Sequence, residues 1–234
     1  MEEFYSRTVM LIGERLNKVK TATVAVFGLG GVGSFVAEAL ARSGVGHIVL
    51  VDNDIVSASN SNRQLCAFNS TIGRLKVEVM RERILDINQD CIIEAYPTFV
   101  GEDTINQFDF ASFTAVADAV DNVTAKLLIA TYCKEQGIYL CSSMGTGNKL
   151  NPQGVTVTDI YSTSVCPLAK VMRRELRKRG IEKLDVVYSE EEPISIGVEQ
   201  DGKRIPSSAI FVPAVAGITL AYQIFQHIID IKEE

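Results

Sequence analysis

The stretch Ala25-Val26-Phe27-Gly28-Leu29-Gly30-Gly31-Val32-Gly33-Ser34 decides the fold. The apolar run Thr23 to Phe27 reads as a buried strand, and the spacing of Phe35, Val36, Ala39 and Leu40 reads as a helix. Between them Gly28, Gly30 and Gly33, with Gly31 alongside, fit G-x-G-x-x-G. The first glycine allows the tight turn, the second lets backbone approach a phosphate, and the third lets helix pack on strand. The helix N-terminus then offers free N–H groups and a positive dipole end to an anion. A second apolar run, His47 to Val51, ends at Asp52, nineteen residues after Gly33, where an acidic residue meets a ribose hydroxyl in folds of this kind. Strand, turn, helix and acid together predict a nucleotide site. Glycines serving only a tight strand-to-helix turn are the plainer alternative.

Residues 1 to 20 precede this unit as an expected helix, with Val9, Ile12, Leu16 and Val19 near helical spacing. After Asp52, the segment Asn53 to Gln64 is polar and too long for a simple connection, and such loops at strand ends often carry function. The pattern then predicts a helix over 73–88 with Lys76 in its first turns, a strand over 92–96 and a short helix over 104–110. A strand over 114–120 follows, ending at Asp121-Asn122, then a helix over 124–136 and a strand over 138–142. This alternation predicts an α/β fold, a Rossmann-like doubly wound, mostly parallel sheet. Residues 1–150 are expected to form the nucleotide-binding core. Residues 151–234 are expected to extend the same domain with an antiparallel part and a C-terminal helix. The extension reads as a turn at Asn151–Gly154, a strand over 155–160, a helix over 167–180, a hairpin at Asp201-Gly202, a short strand over 209–212 and a buried helix from Ala214.

The 234 residues are 47% hydrophobic and 22% charged, the balance of an ordinary globule. Net charge −6 argues against gripping nucleic acid with the whole surface, and no DNA partner is read. Five cysteines, none in a C-x-x-C pair, suggest neither a disulfide framework nor a zinc knuckle, and a reducing cytoplasm fits them. The first residues lack the basic flank and apolar core of a signal peptide. Ile205 to Ile229 carries no Asp, Glu, Lys or Arg, but its two prolines, serines and glutamines favour a loop and buried helix over a membrane span.

Three groups follow strand ends, where ligands of a doubly wound sheet sit: the glycine turn, Asp52 with the loop Asn60…Asn62-Arg63-Gln64, and Asp121-Asn122. Lys76 starts the next helix. Two cations and a carboxylate exceed what a dinucleotide fold needs. They suit an enzyme that breaks a phosphoanhydride, where charge is stabilised as pyrophosphate leaves and a carboxylate such as Asp121 holds Mg²⁺. Each has a blander reading: Arg63 as a solvated loop cation, Lys76 as an exposed helix lysine, Asp121 as the cap of the helix that follows. Asp118 is expected at a strand edge rather than at a ligand, and Asp54 is read as structural.

Gly-Leu-Gly-Gly-Val-Gly-Ser, Val-Asp-Asn-Asp, Ser-Asn-Ser-Asn-Arg-Gln, Gly-Arg-Leu-Lys and Asp-Asn, in that order, resemble the ubiquitin-activating-enzyme-like adenylating superfamily. The resemblance implies that ATP adenylates a carboxylate, that Asp52 contacts ribose, that Asn60, Arg63, Gln64 and Lys76 contact the phosphates, and that Asp121 holds the metal. It also implies that an arginine near the N-terminus, here Arg7 of Tyr5-Ser6-Arg7, reaches the neighbouring subunit's site in a homodimer. Many members activate the C-terminus of a ubiquitin-like sulfur carrier and hold zinc in two C-x-x-C pairs, which this sequence lacks. Ser143-Met144-Gly145-Thr146-Gly147, Asn151-Pro152, Cys166-Pro167-Leu168-Ala169-Lys170 and Phe211-Val212-Pro213 resemble instead the branch that dehydrates threonylcarbamoyladenosine in transfer RNA. That branch implies a tRNA substrate and a monovalent cation (K⁺ or Na⁺), and it leaves room for a sulfur-relay protein partner. No cysteine stands in Ile205–Ala209, shortly before the last helix, so no thioester step is expected.

The segment 167–183 supports an RNA substrate independently. Seven basic residues against two acidic ones give it +5 in a chain of −6. Arg173, Arg174, Arg177 and Lys178, with Lys170 a turn earlier, are spaced to share one helical face suited to phosphates. A solvated helix face remains the alternative, as do a sulfur-carrier-activating enzyme and a nicotinamide-binding oxidoreductase or bare nucleotide-binding module for the whole chain.

Overall fold

The computed structural model describes residues 2–194, 198–200 and 203–230. The leading segment is two helices, α1 (Glu2–Ile12) and α2 (Leu16–Thr21), rather than the single one expected. They part at Gly13, whose φ of +62° leaves the helical region. The core then runs β1 (Thr23–Phe27), α3 (Gly33–Ser43), β2 (His47–Val51), α4 (Lys76–Ile87), β3 (Ile92–Tyr96), β4 (Ala115–Asp118), α5 (Val123–Gln136) and β5 (Tyr139–Ser143). The short helix expected over 104–110 is two 3-10 turns, Ile105–Gln107 and Phe110–Ser112.

Then follow β6 (Val155–Asp159), α6 (Pro167–Lys178), β7 (Asp185–Ser189), β8 (Val198–Gln200), β9 (Lys203–Ile205) and α7 (Phe211–Asp230). Strand β7 was not anticipated. The strand expected over 209–212 is absent, because the chain enters α7 at Phe211. Pro213 sits in that helix's first turn, where no backbone N–H is needed. β8 and β9 pair antiparallel as expected, and the turn Asp201-Gly202 lies outside the described residues.

The main sheet has seven strands in the order β3-β2-β1-β4-β5-β7-β6. All its pairings are parallel except β6 with β7. β1 is buried on both faces. Val24 and Val26 join a layer with Leu40, Leu220 and Ile224, while Ala25 and Phe27 join Ile129 and the aromatic group around Phe108 and Phe110. Phe27 meets Phe108 edge-on at 5.3 Å and stacks on Phe110 at 5.8 Å. Apolar burial on both faces is what a central parallel strand requires.

α7 is long and apolar enough to cross a membrane by length and composition. In this fold it lies on the sheet, with Val212, Leu220 and Ile224 fully buried. The chain turns from β1 to either side at β2 and β4, so the carboxyl end of β1 is the switch point at which doubly wound folds bind ligands.

Candidate active site

A cavity of about 590 Å³ opens at this switch point, a volume suited to a small-molecule site. The glycine turn forms its floor. Gly28 has φ +86°, and a Cβ there would meet the Ala119 carbonyl oxygen at 2.8 Å. A Cβ at Gly33 would lie 1.7 Å from the Gly28 carbonyl oxygen, so only glycine lets α3 start this close to β1. The N–H groups of Ser34, Phe35 and Val36 in the first turn of α3 bond to the Gly30 and Val32 carbonyls, so the turn residues Gly30, Gly31 and Val32, which line the cavity just ahead of α3, are the ones that present backbone N–H groups to an anion.

Asp52 lines the cavity, but both its oxygens already serve the backbone. Oδ2 accepts the Leu29 N–H at 2.6 Å and Oδ1 the Asp54 N–H at 2.8 Å, which brackets the turn. Burial raises its carboxyl above the ordinary range, opposed by Lys76 and these N–H groups. The Lys76 ammonium is buried in the cavity wall, 2.7 Å from Asp54 Oδ2 and 4.0 Å from Asp52 Oδ2. It is therefore no exposed helix lysine, and Asp54 is the residue that anchors it.

Arg63 also lines the cavity, with Nη1 donating to the Ser59 carbonyl at 2.9 Å and Asn62 Oδ1 at 2.8 Å. Those acceptors are neutral, so its charge is not cancelled at these contacts. Asn60 spends Oδ1 on the Ser57 N–H, closing a capping box in its loop. Gln64 is buried with its amide over Gly30.

Asp121 is exposed at the cavity rim. It does not cap α5. Asn122 does, accepting the Ala125 N–H on Oδ1 at 3.0 Å, so the Asp121 carboxylate is not committed to the helix end. Among the described residues no group of three or more His, Cys, Asp or Glu side chains converges as a metal cluster.

Arg7 stands apart from these residues. It is exposed on α1, and no residue of α1 lines the cavity. Two residues away, Tyr5 packs on Gly44 at the far end of α3, whose 11 residues span about 16 Å.

The basic face of α6 begins beside Leu168, which lines the cavity. Lys170, Arg174, Arg177 and Lys178 are exposed. Arg173 is half-buried, with Nη1 donating to the Thr163 carbonyl at 3.0 Å and to its hydroxyl, so it pins the preceding turn rather than sharing the solvent face. Arg177 lies over the Tyr161 ring at 5.0 Å. Lys178, Arg174 and Arg179 surround Glu175 and pull its carboxyl down to about 2.

Sequence reasoning missed three parts of the site. Phe99, half-exposed, forms one wall, and Pro206, Ser208 and Pro213 form another. The third is a buried pair beneath the floor. Asp118, expected at a strand edge, closes the central strand β4 at 1% exposure, 3.0 Å from the fully buried Lys126.

The sequence profile of the ThiF family matches residues 5–234. The chain belongs to the ThiF family. This ThiF-family chain is 45% identical over 230 residues to the tRNA threonylcarbamoyladenosine dehydratase of Bacillus subtilis, covering 92% of this chain and 91% of that one. Its fold superposes on the Escherichia coli tRNA N6-threonylcarbamoyladenosine dehydratase TcdA in complex with ATP at a TM-score of 0.88 and 33% identity, covering 97% and 94% of the two chains. The adenylyltransferase and sulfurtransferase UBA4 of Eremothecium gossypii is 33% identical over 157 residues, covering 64% of this chain and 35% of its own.

Proposed function

We infer that the chain catalyses the ATP-dependent dehydration of N6-threonylcarbamoyladenosine in tRNA, closing the modification into a ring. The observation that carries this reading is the near end-to-end likeness to dehydratases, against a likeness to the sulfur-carrier type that covers less of either chain. The cavity supports it chemically. A glycine turn and the start of α3 suit phosphates, and Arg63 and Lys76 supply positive charge beside them.

In the reaction, the threonyl carboxylate attacks the α-phosphorus of ATP and pyrophosphate leaves. The ureido nitrogen of the same modification then attacks the acyl carbon, loses its proton, and expels AMP with the former carboxylate oxygen. The nucleophiles belong to the substrates. The chain's task is to bring carboxylate and α-phosphate together and to stabilise the charge that develops. Arg63 faces the phosphates, and Lys76 meets them while anchored by Asp54. Asp52, buried at the turn, suits the ribose.

The uncommitted carboxylate of Asp121 would be the residue to hold a Mg²⁺ ion, since Mg²⁺ sites of this kind take only one or two protein carboxylates. When bound, Mg²⁺ neutralises charge on the phosphates. Arg7 lies far from its own chain's cavity and serves a second copy's site in a homodimer. Large apolar side chains left exposed on α1 (Met10 79%, Leu11 80%) and α7 (Phe211 60%, Tyr222 53%) support such a pairing. Lys170, Arg174, Arg177 and Lys178 form the tRNA track leading from the cavity, and the cytoplasm is the compartment.

Incubation with ATP and bulk tRNA, followed by nucleoside mass spectrometry, tests the reading. It predicts loss of one water from threonylcarbamoyladenosine. An unchanged nucleoside, with capture and adenylation of a Gly-Gly-ended carrier protein, would establish the sulfur-carrier reading instead.

A further inference from the structure

The pair Asp118–Lys126 is sealed beneath the cavity, and its polar atoms have partners. Lys126 Nζ donates to Asp118 Oδ2 at 3.0 Å, to Ser142 Oγ at 3.1 Å and to the Ser143 carbonyl at 2.7 Å. That uses the three donors of an ammonium. Ser142 Oγ donates its own hydrogen to Asp118 Oδ2 at 2.6 Å, and Asp118 Oδ1 accepts the Val120 N–H at 3.1 Å.

Such a network is a poor way to gain stability. Desolvating two charges is costly, and well-packed apolar residues of similar volume are often as stable or more so. What it supplies is geometry. β4 and β5 are parallel neighbours with Asp118 beside Ser142 in register. The turn 119–122 leaves Asp118 and carries Asp121, and the loop 143–147 leaves the end of β5. Both segments line the cavity, while Lys126 does not.

We propose that the Asp118–Lys126 pair is the positioning device of the cavity's reacting end, holding Asp121 and the 143–147 loop at a fixed separation. The proposal rests on the adenylation reading above. Lys126 reaches no substrate and acts through these segments. Misplacing a reacting group by about 1 Å can cost about 10²-fold in rate, and that is the loss expected when the tether goes.

The test is the double variant Lys126→Met/Asp118→Asn, which keeps volume and removes both charges, assayed with the parent for melting, ATP KM and kcat on tRNA. The expected result is a melting midpoint near the parent's, an unchanged KM for ATP and a kcat lowered about 10²-fold. Ser142→Ala, which removes one bond to each partner, should lower kcat about tenfold with the same KM, and it answers the question if the double variant does not fold. Parental kcat in either folded variant overturns the proposal. So does a fall in kcat matched by loss of ATP affinity, which marks general loosening of the cavity. A parent that leaves the nucleoside unchanged overturns the function reading itself, so the two failures are distinguishable.

Discussion

Replacing Gly30 with alanine separates the architecture of the glycine turn from its ligand. A Cβ at Gly30 meets nothing nearer than Gln64 Nε2 at 3.8 Å, so the fold should accept it. Gly30 and Arg63 both line the cavity, and the function inferred here puts phosphate between them, bonded to backbone N–H groups of the turn. A methyl group pushes the phosphate off. Losing one charge-assisted hydrogen bond costs about 1.5–3 kcal/mol. At about 1.4 kcal/mol per tenfold, ATP should bind roughly 10- to 100-fold more weakly. Gly33→Ala is the contrast, because its Cβ would overlap the Gly28 carbonyl oxygen at 1.7 Å and must open the turn. It should lower both the melting midpoint and ATP affinity. Calorimetric titration with ATP and thermal melting of both variants decide the matter. A Gly30→Ala protein that melts normally and binds ATP like the parent would refute the phosphate placement, and one that melts as early as Gly33→Ala would refute the geometry.

Arg7→Ala and Asp121→Ala should each abolish turnover, yet mixed with free subunit exchange they should recover up to about a quarter of parental activity, since about half the dimers are mixed and each has one intact site; no recovery despite exchange would confine Arg7 to its own chain or remove it from the chemistry. Replacing Lys170, Arg174 and Lys178 with alanine should weaken tRNA binding and flatten its salt dependence by about one unit of slope per lost phosphate contact while ATP binding stays unchanged. A parental salt slope would make α6 a solvated face. His227 stacks on Tyr139 at 4.0 Å, and burial holds its imidazole below the ordinary 6.5. The unfolded chain therefore binds that proton more tightly, and stability present above pH 6.5 is lost as pH falls below it. His227→Phe should keep the stack and flatten melting against pH in that window; a parental slope would assign the dependence to another group.

The parts of this molecule legible in its sequence are those set by local chemistry. The β1–α3–β2 unit shows because glycine spacing and apolar runs act within thirty residues of chain, and Arg63, Lys76 and Asp121 show because ligands gather at strand ends. Longer-range effects did not. β7 is a five-residue strand that follows a charged loop, and its place beside β5 depends on a partner some forty residues away. Ile210-Phe211-Val212 reads as a strand until α7 absorbs it with Pro213 in the first turn. Asp121 and Asn122 are both good caps, and only the folded chain assigns the cap to Asn122. Arg173 shares the spacing of its basic neighbours yet turns to Thr163. Lys126 gave one local hint, a lysine among Ala125, Leu127 and Ile129 on a buried helix, but its partners come from two strands.

The most direct test of the adenylate route follows an oxygen atom. tRNA whose threonylcarbamoyl carboxylate carries heavy oxygen should be turned over with unlabelled ATP and the products separated by mass spectrometry. Attack on the α-phosphorus and ring closure with loss of AMP predict one heavy oxygen in AMP, one kept in the cyclised nucleoside and none in pyrophosphate. Heavy oxygen in inorganic phosphate or pyrophosphate, with unlabelled adenine nucleotide, would mean that the carboxylate is activated at another phosphorus and would contradict the account.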